Sequence, residues 1–429
     1  MQPYCVVGGV LYIFNMITNA RPGLKIAVVG GSIAGCAAAV DLARAGHDVS
    51  VYERSPEGLV GQGVGVIAPA QVFDQMVARK LLPEDFPSHQ IGAIRYVGRQ
   101  EEGTAVGRWL GDAVMPLTAV NWAHIHQYLR NQVPDAAYHR GVTVHGTRDG
   151  DLDAPVFLET SEGVVGPFDL AVFADGYRSV GRSAVAPESE PNYLGLVFFR
   201  GLLPSAEAGD GDVDGVITRI VYPGGHGAVY SIPGDTDADG SGAQKTMWGY
   251  YVPVPAESLA DILTDAQGQR HTGSVGLGKV RADVGSIFRG YLEELIPAQY
   301  LDLVERTKQT SIQAVFAAQV PRYVRRRVCV IGDAGALFAP FGGSGVLKAI
   351  GNATTLSGSL AAAPTVEEGL SNWNDQQRQT EHVIAEVAER NGRNLVYDVP
   401  DFASMNSSDI RGWLSDTHPH VEVRVSPDE

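Results

Sequence analysis

The apolar positions of this chain follow two rhythms, and the change between them divides it. Residues 26–29 form a short, β-branched apolar run of the kind shown by a buried parallel strand. The run passes into Gly30-Gly31-Ser32-Ile33-Ala34-Gly35, then into an alanine-rich helical stretch ending near Arg44-Ala45-Gly46. A second strand over 48–52 closes on Glu53. Strand, glycine turn, helix, strand and acid together make the dinucleotide-binding βαβ unit over residues 24–54. Further helices are predicted over 71–80, 120–130, 285–310, from the Gly/Pro segment to about 360, and over 366–395. Trp122, Ile125 and Leu129 share one apolar face of the second of these.

The other rhythm is alternation. Residues 90–118 alternate weakly, 141–174 hold several strands, and 328–331 is another short buried strand. From 191 to 280, aromatic-rich runs (196–200, 217–222, 228–232, 246–252) are separated by Gly/Asp loops such as 234–242, which predicts an antiparallel sheet with long hairpin connections. The expected fold class is α/β: a Rossmann-like dinucleotide-binding domain interleaved with an antiparallel-sheet domain, followed by a C-terminal helix. The last thirty residues are polar and proline-punctuated and read as a loosely ordered tail.

Charge and composition narrow the function. With 33 basic against 49 acidic residues, a net of −16, the chain lacks the positive potential that nucleic acid requires. Cys5, Cys36 and Cys329 have no metal-ligand spacing and form no disulfide framework, which fits a reducing, cytoplasmic setting. Residues 4–17 are mostly apolar and uncharged, too short to span a bilayer and without a signal peptide's basic start. Residues 1–23 are therefore read as a disordered or packed extension, and membrane contact is not expected. His124 and His126 lie two apart on a helix and point away from one another. His418-Pro-His420, in a tail, is not expected to hold a metal.

Within the βαβ unit, Gly30 makes the tight turn and Gly35 lets helix and strand pack closely. Backbone N–H groups at Ser32, Ile33 and Ala34 would face a pyrophosphate at a helix N-terminus. Glu53, flanked by Arg54, stands 23 residues after Gly30, placed to accept hydrogen bonds from a ribose and to disfavour a 2′-phosphate. Gly61, Gly63 and Gly65 alternate, so backbone around Gly63 and Val64 can approach a ligand. Two more motifs follow: Ala174-Asp175-Gly176-Tyr177-Arg178-Ser179 with Arg182 after it, and Gly332-Asp333 trailed by Pro340 and Gly342-Gly343-Ser344-Gly345-Val346. They resemble the Asp-Gly and Gly-Asp motifs of flavoprotein hydroxylases. An aspartate at a strand end can accept hydrogen bonds from ribityl hydroxyls. A glycine turn entering a helix puts N–H groups where negative charge collects on a reduced flavin.

Taken in this order, the three motifs resemble the class A FAD-dependent aromatic hydroxylases, the para-hydroxybenzoate hydroxylase type, from about residue 24 to 395. Gly30-Gly31-Ser32, Trp122 where most of the class carry arginine, Leu196-Val197-Phe198-Phe199-Arg200-Gly201, Tyr230-Ser231-Ile232-Pro233-Gly234 and Leu347-Lys348-Ala349 are similar to the 2,6-dihydroxypyridine hydroxylase branch of that class. The chain departs from the class at Gly332-Asp333-Ala334-Gly335-Ala336 and at Asn352-Ala353. The resemblance implies bound FAD, NAD(P)H as a transient co-substrate, and O2. It implies a C4a-hydroperoxyflavin that hydroxylates or epoxidises an electron-rich aromatic or heteroaromatic small molecule. It implies an FAD-binding domain from 24–89, 115–190 and 311–365, a substrate domain from 90–114 and 191–310, and a helix and tail over 366–429, in a monomer or homodimer. Phe198, Arg200, Tyr222, Tyr230, Trp248 and Tyr250 are the expected substrate lining, with His226 or Tyr222 as the candidate base. A flavin oxidase or dehydrogenase on the same fold, or a non-catalytic FAD-binding protein, are the alternatives. The paired tryptophans of flavin-dependent halogenases are absent.

Overall fold

Two sheets carry the functional segments, and the chain crosses between them repeatedly. In the computed structural model, residues 4–7, 10–13, 23–57, 59, 65–99, 107–149, 154–209, 215–234, 242–343 and 345–425 are described. The first sheet runs Val324–Arg325, Val328–Val330, Leu170–Phe173, Lys25–Val29, Asp48–Glu53, Tyr138–Arg140, parallel throughout except at the Val324–Arg325 edge. Its central strands are buried on both faces, which is why they read as unbroken apolar runs. Helix Ile33–Arg44 packs closely because Ala37, Ala38 and Ala39 keep its buried face thin. It is tied to helix Gly345–Ala362 by a bond from Thr354 Oγ1 to the buried Asp41 Oδ2 at 2.8 Å.

The second sheet is ten-stranded and runs Ser274–Val275, Thr310–Ala317, Asn192–Pro204, Lys245–Pro253, Gly225–Ile232, Val216–Tyr222, His89–Gly98, Arg108–Asn121, Glu422–Val425, with Gly65–Pro69 also paired to Arg108–Asn121. It is antiparallel as expected, apart from the parallel pairing of Val216–Tyr222 with His89–Gly98. Alternation along its strands sends residues to two different cores. Phe199, Tyr222, Trp248 and Tyr250 pack with Phe288 and Leu303, on helices Ala282–Glu293 and Ala298–Arg306. Leu196, Tyr230, Met247 and Tyr251 face the other way and pack with Phe341, Leu395 and Val396.

The expected tail is folded. Asn406 caps helix Ser407–Thr417 by accepting from the N–H groups of Ser408 and Asp409, and Glu422–Val425 extends the second sheet. Its apolar triplet Ile410, Trp413 and Leu414 has helical spacing and is buried, with Trp413 edge-on to Tyr96 at 5.2 Å. Polar composition concealed a three-residue stripe sufficient to dock one short helix. His418 lies under it, Nε2 at 2.5 Å from the Tyr96 hydroxyl, and burial pushes it down to about 3, so the ring is neutral. At the N-terminal end, Tyr4–Val7 and Val10–Ile13 pair as an antiparallel hairpin. No helix among the described residues is long and apolar enough to cross a membrane.

Candidate active site

The turn after the first strand is built for close approach. Gly30 has φ +98°, and a Cβ there would stand 2.4 Å from the Ala174 carbonyl oxygen; one on Gly35 would stand 1.8 Å from that of Gly30. Ser32 occupies the N-cap without a side-chain cap bond, and no acid sits in the first turn, so its hydroxyl and the first-turn N–H groups remain available to an anion. Ile33 and Ala34 turn their side chains into the core. Glu53 is 5 % exposed; its Oε2 accepts from Gly31 N at 2.7 Å and its Oε1 from Ser55 N at 2.8 Å. Arg54 is exposed beside it.

Three donors meet on the Gly31 carbonyl: His126 Nε2 at 3.0 Å, the Tyr138 hydroxyl at 3.1 Å and Cys36 Sγ at 3.2 Å. Burial holds His126 below its ordinary value, so the ring is neutral and donates through Nε2–H. Burial likewise pushes the Cys36 thiol up to about 12, keeping it protonated. Trp122, half-buried, stacks on His126 at 5.2 Å and so stands one ring away from the dinucleotide turn.

The two aspartate motifs end neighbouring parallel strands, and Arg182 joins them. This arginine is 2 % exposed and donates from Nη1 to the Tyr177 carbonyl at 2.6 Å and from Nη2 to the Asp333 carbonyl at 2.5 Å. The Asp175 carboxylate is spent within its own turn, accepting from Ser179 Oγ at 2.5 Å and Val180 N at 2.7 Å. Asp333 is different: its side chain is 49 % exposed, with the buried Lys348 Nζ 3.3 Å from Oδ1. Lys348 also donates to the Ala336 carbonyl, so one ammonium ties the strand end to the following helix. Asn352 Oδ1 accepts from Gly332 N at 2.9 Å, which accounts for an amide at that position. Beyond Pro340, Gly342, Gly343 and Gly345 are exposed, Gly343 lies in the left-handed region at φ +66°, and Val346 is half-buried. The loop therefore offers bare backbone at a helix start. Gly63, Val64 and Ser344 lie outside the described residues.

Phe341, inside this loop, meets the second sheet edge-on at Tyr251 (5.1 Å) and at His226 (5.7 Å). Phe198 packs on Tyr251 at 4.6 Å and lies over Gly249, where a Cβ would come within 2.2 Å of its ring. Tyr230 abuts Gly65. Arg200 sits deep in the molecule yet keeps exposed surface, so it lines a cleft; its Nε is 3.2 Å from Ser311 Oγ. The expected lining thus divides by strand register. Phe198, Arg200 and Tyr230 share the face beneath the glycine loop. Tyr222, Trp248 and Tyr250 point away from it, the first two spending their polar atoms on the Tyr251 carbonyl (2.8 Å) and Thr307 Oγ1 (2.7 Å). His226 is on the loop's face but sealed beneath Phe341, 3 % exposed, with burial holding it well below its ordinary value. As placed, neither expected base presents an accessible atom to a ring.

Comparison with known proteins agrees with these motifs. Residues 28–61 match the family described as NAD(P)-binding Rossmann-like domain, and residues 193–317 match FAD binding domain-like. The chain is 28 % identical over 364 residues to 2,6-dihydroxypyridine 3-monooxygenase of Paenarthrobacter nicotinovorans, covering 83 % of this chain and 88 % of the relative. It is 27 % identical to 3-amino-4-hydroxybenzoate 2-monooxygenase of Streptomyces cremeus, covering 80 % and 79 %. The solved 2,6-dihydroxypyridine-3-hydroxylase from Arthrobacter nicotinovorans superposes with a TM-score of 0.79 at 25 % identity, over 95 % of this chain and 100 % of that one. The chain is thus similar, over most of its length, to FAD-dependent aromatic hydroxylases of class A.

It is a flavoprotein monooxygenase with FAD as its cofactor. The features that sequence reading missed in this hydroxylase are tertiary ones. His126 and Tyr138 act only by converging on one carbonyl from a distant helix and strand. Tyr251 and Phe341 were passed over because an aromatic on a strand or in a loop says nothing of its partner. Lys348 was legible as an oddity, a cation inside an apolar helix stripe.

Proposed function

We propose that the chain is an NAD(P)H- and O2-dependent hydroxylase of an electron-rich aromatic or heteroaromatic small molecule. The observation that carries this reading is the contact of Phe341, in the bare-backbone loop, with Tyr251 on the sheet face that also bears Phe198 and Arg200. That contact sets the expected flavin loop against an aromatic-lined cleft. The residues fit FAD: the unspent N-cap of Ile33–Arg44, the half-exposed Asp333 carboxylate, and glycines at 342, 343 and 345 whose missing side chains leave room. In this assignment Gly30, Ser32, Ile33, Ala34 and Gly35 take the pyrophosphate, and Glu53 and Arg54 the adenosine ribose. Trp122 borders the turn, and Asp333 and residues 340–346 take the ribityl chain and flavin. Asp175 and Gly176 shape the turn that Arg182 ties to Asp333. When bound, FAD supplies the redox chemistry, accepting a hydride from NAD(P)H and activating O2.

The protein's own part is placement and exclusion of water. Phe198 and Tyr251 offer flat apolar surface to a ring. Arg200 offers a fixed cation to its oxygen substituents. Burial pushes the hydroxyls of Tyr230 and Tyr251 above their usual range, so both stay protonated and can donate hydrogen bonds.

The test begins with purification. A yellow protein with one FAD per chain should oxidise NADH or NADPH faster when hydroxypyridines or phenols are added, and the product should gain an atom from 18O2. Flavin reduction without oxygen incorporation for any ring would point to the oxidase or dehydrogenase alternative. A flavin that no ring or nicotinamide affects would point to a non-catalytic role.

A further inference from the structure

Two rows of polar side chains face one another inside the helical layer behind Asp333. Helices Gly345–Ala362 and Val366–Gly392 are joined by a short loop and run antiparallel. Buried bonds fix their register. Asn352 Nδ2 donates to Gln377 Oε1 at 2.5 Å, and Thr355 Oγ1 accepts from Gln377 Nε2 and Trp373 Nε1, both at 3.0 Å. Lys348 lies one turn before Asn352, and Glu381 one turn after Gln377. In antiparallel helices those two steps lead the same way, so Lys348 stands opposite Glu381. Both side chains are buried.

The two groups differ in what they have to bond. Lys348 Nζ donates to the Ala336 carbonyl and lies 3.3 Å from Asp333 Oδ1, which ties it to the strand end of the second aspartate motif. Glu381 accepts from the buried Tyr323 hydroxyl, while its Oε1 has no partner. The charged groups acting on Lys348 are Asp333, Glu381 and Arg182; those acting on Glu381 are Lys348 and Arg378, the latter on its own helix. Burial raises the Glu381 carboxyl to about 7, so its charge changes across neutral pH. Burial lowers Lys348, and the Asp333 carboxylate opposes this by favouring the ammonium. Asp333 keeps half of its side chain exposed, so the buried pair touches the surface through this one carboxylate.

We propose that Lys348 is a positioning residue for Asp333, and that the proton on Glu381 sets how firmly it holds that carboxylate for the cofactor. This rests on the assignment of Asp333 to FAD. With Glu381 protonated, Asp333 is the one carboxylate acting on the ammonium. With Glu381 ionised, the ammonium is shared between two carboxylates on opposite sides, and its hold on Asp333 weakens. FAD is therefore bound more tightly below pH 7, and the gain is lost as pH rises through that value. Linkage is reciprocal, so FAD binding in turn raises the proton affinity of Glu381.

The experiment titrates the full-length apoprotein with FAD, by fluorescence quenching, at pH 6 and pH 8.5. Wild type should bind about 5- to 10-fold more weakly at the higher pH, a modest coupling between linked sites. In weak buffer near pH 7, binding should take up a fraction of a proton. Glu381→Gln, neutral throughout, should keep the tighter affinity at both values and take up none. Lys348→Met should weaken binding by about tenfold at pH 6, the loss of a charged hydrogen bond, and lose the pH step. Asp333→Asn should also lose the step, because the coupling runs through its carboxylate. Equal pH steps in wild type and Glu381→Gln, or a step that survives in Asp333→Asn, overturn the proposal while leaving the flavin reading intact. A folded Lys348→Met protein with wild-type affinity does the same; should that variant not fold, the comparison with Glu381→Gln decides alone. A wild-type protein that binds no FAD at either pH overturns both.

Discussion

Arg182 is the joint between the two aspartate motifs, and replacing it with methionine isolates that role. Methionine fills similar space without donors, so the change removes two short bonds, to the carbonyls of Tyr177 and Asp333, and opens little cavity. Hydrogen bonds to a charged donor are worth about 1.5–3 kcal/mol each, about 3–6 kcal/mol for the pair. Removing the buried guanidinium also relieves its desolvation, which acts in the opposite direction, so a net cost of about 3 kcal/mol is expected. The cost falls on the strand end that carries Asp333, which the proposed function assigns to the cofactor. If it is expressed wholly as weakened FAD binding, the dissociation constant rises by about 150-fold. Titrating the apoprotein with FAD by fluorescence quenching measures this, with melting of apo and FAD-loaded protein separating affinity from stability. Arg182→Lys, able to reach one carbonyl, should show about half the effect. An Arg182→Met protein whose FAD affinity stays within threefold of wild type, and whose apo form melts unchanged, would refute the assignment.

Other expectations are independent of that joint. Ser32→Gly should retain flavin because the side chain makes no cap bond, whereas Ser32→Leu should lose it by blocking phosphate approach; equal flavin content in the two proteins contradicts that placement. Tyr250→Phe removes a buried hydroxyl with no partner on the face away from the cleft, so stability should be unchanged or rise by up to about 1 kcal/mol in urea unfolding, with ring binding unaffected. Glu381, beside Tyr323 and Lys348, is pushed by burial from an ordinary 4.5 up to about 7. Its proton stabilises the fold fully below 4.5, and that contribution is lost as pH rises through 7. Glu381→Gln should therefore gain on wild type between pH 4.5 and 8 by up to about 3 kcal/mol, and a pH-independent difference between the two unfolding curves would count against it.

The sequence by itself determined the parts whose physics is local. A β-branched run entering Gly30 and an alanine-rich helix can only be a tight βαβ turn, because any side chain at Gly30 or Gly35 strikes backbone within 2.4 Å. The strand ends at Asp175 and Asp333, the glycines after Pro340 and the alternating aromatics of the second sheet were legible for the same reason. Tertiary structure alone decided what faces what. A one-residue difference in position sends Tyr250 into a helical core and Tyr251 to the cleft, and nothing in the local pattern distinguishes two adjacent buried tyrosines. Phe341 lies edge-on to His226, one of the two candidate bases, and that ring is buried at 3 % exposure. The tail folded because one apolar stripe found Tyr96, a partner more than 300 residues away. Short-range sterics write the cofactor motifs into the sequence, while the cleft is made of non-local contacts that no single segment contains.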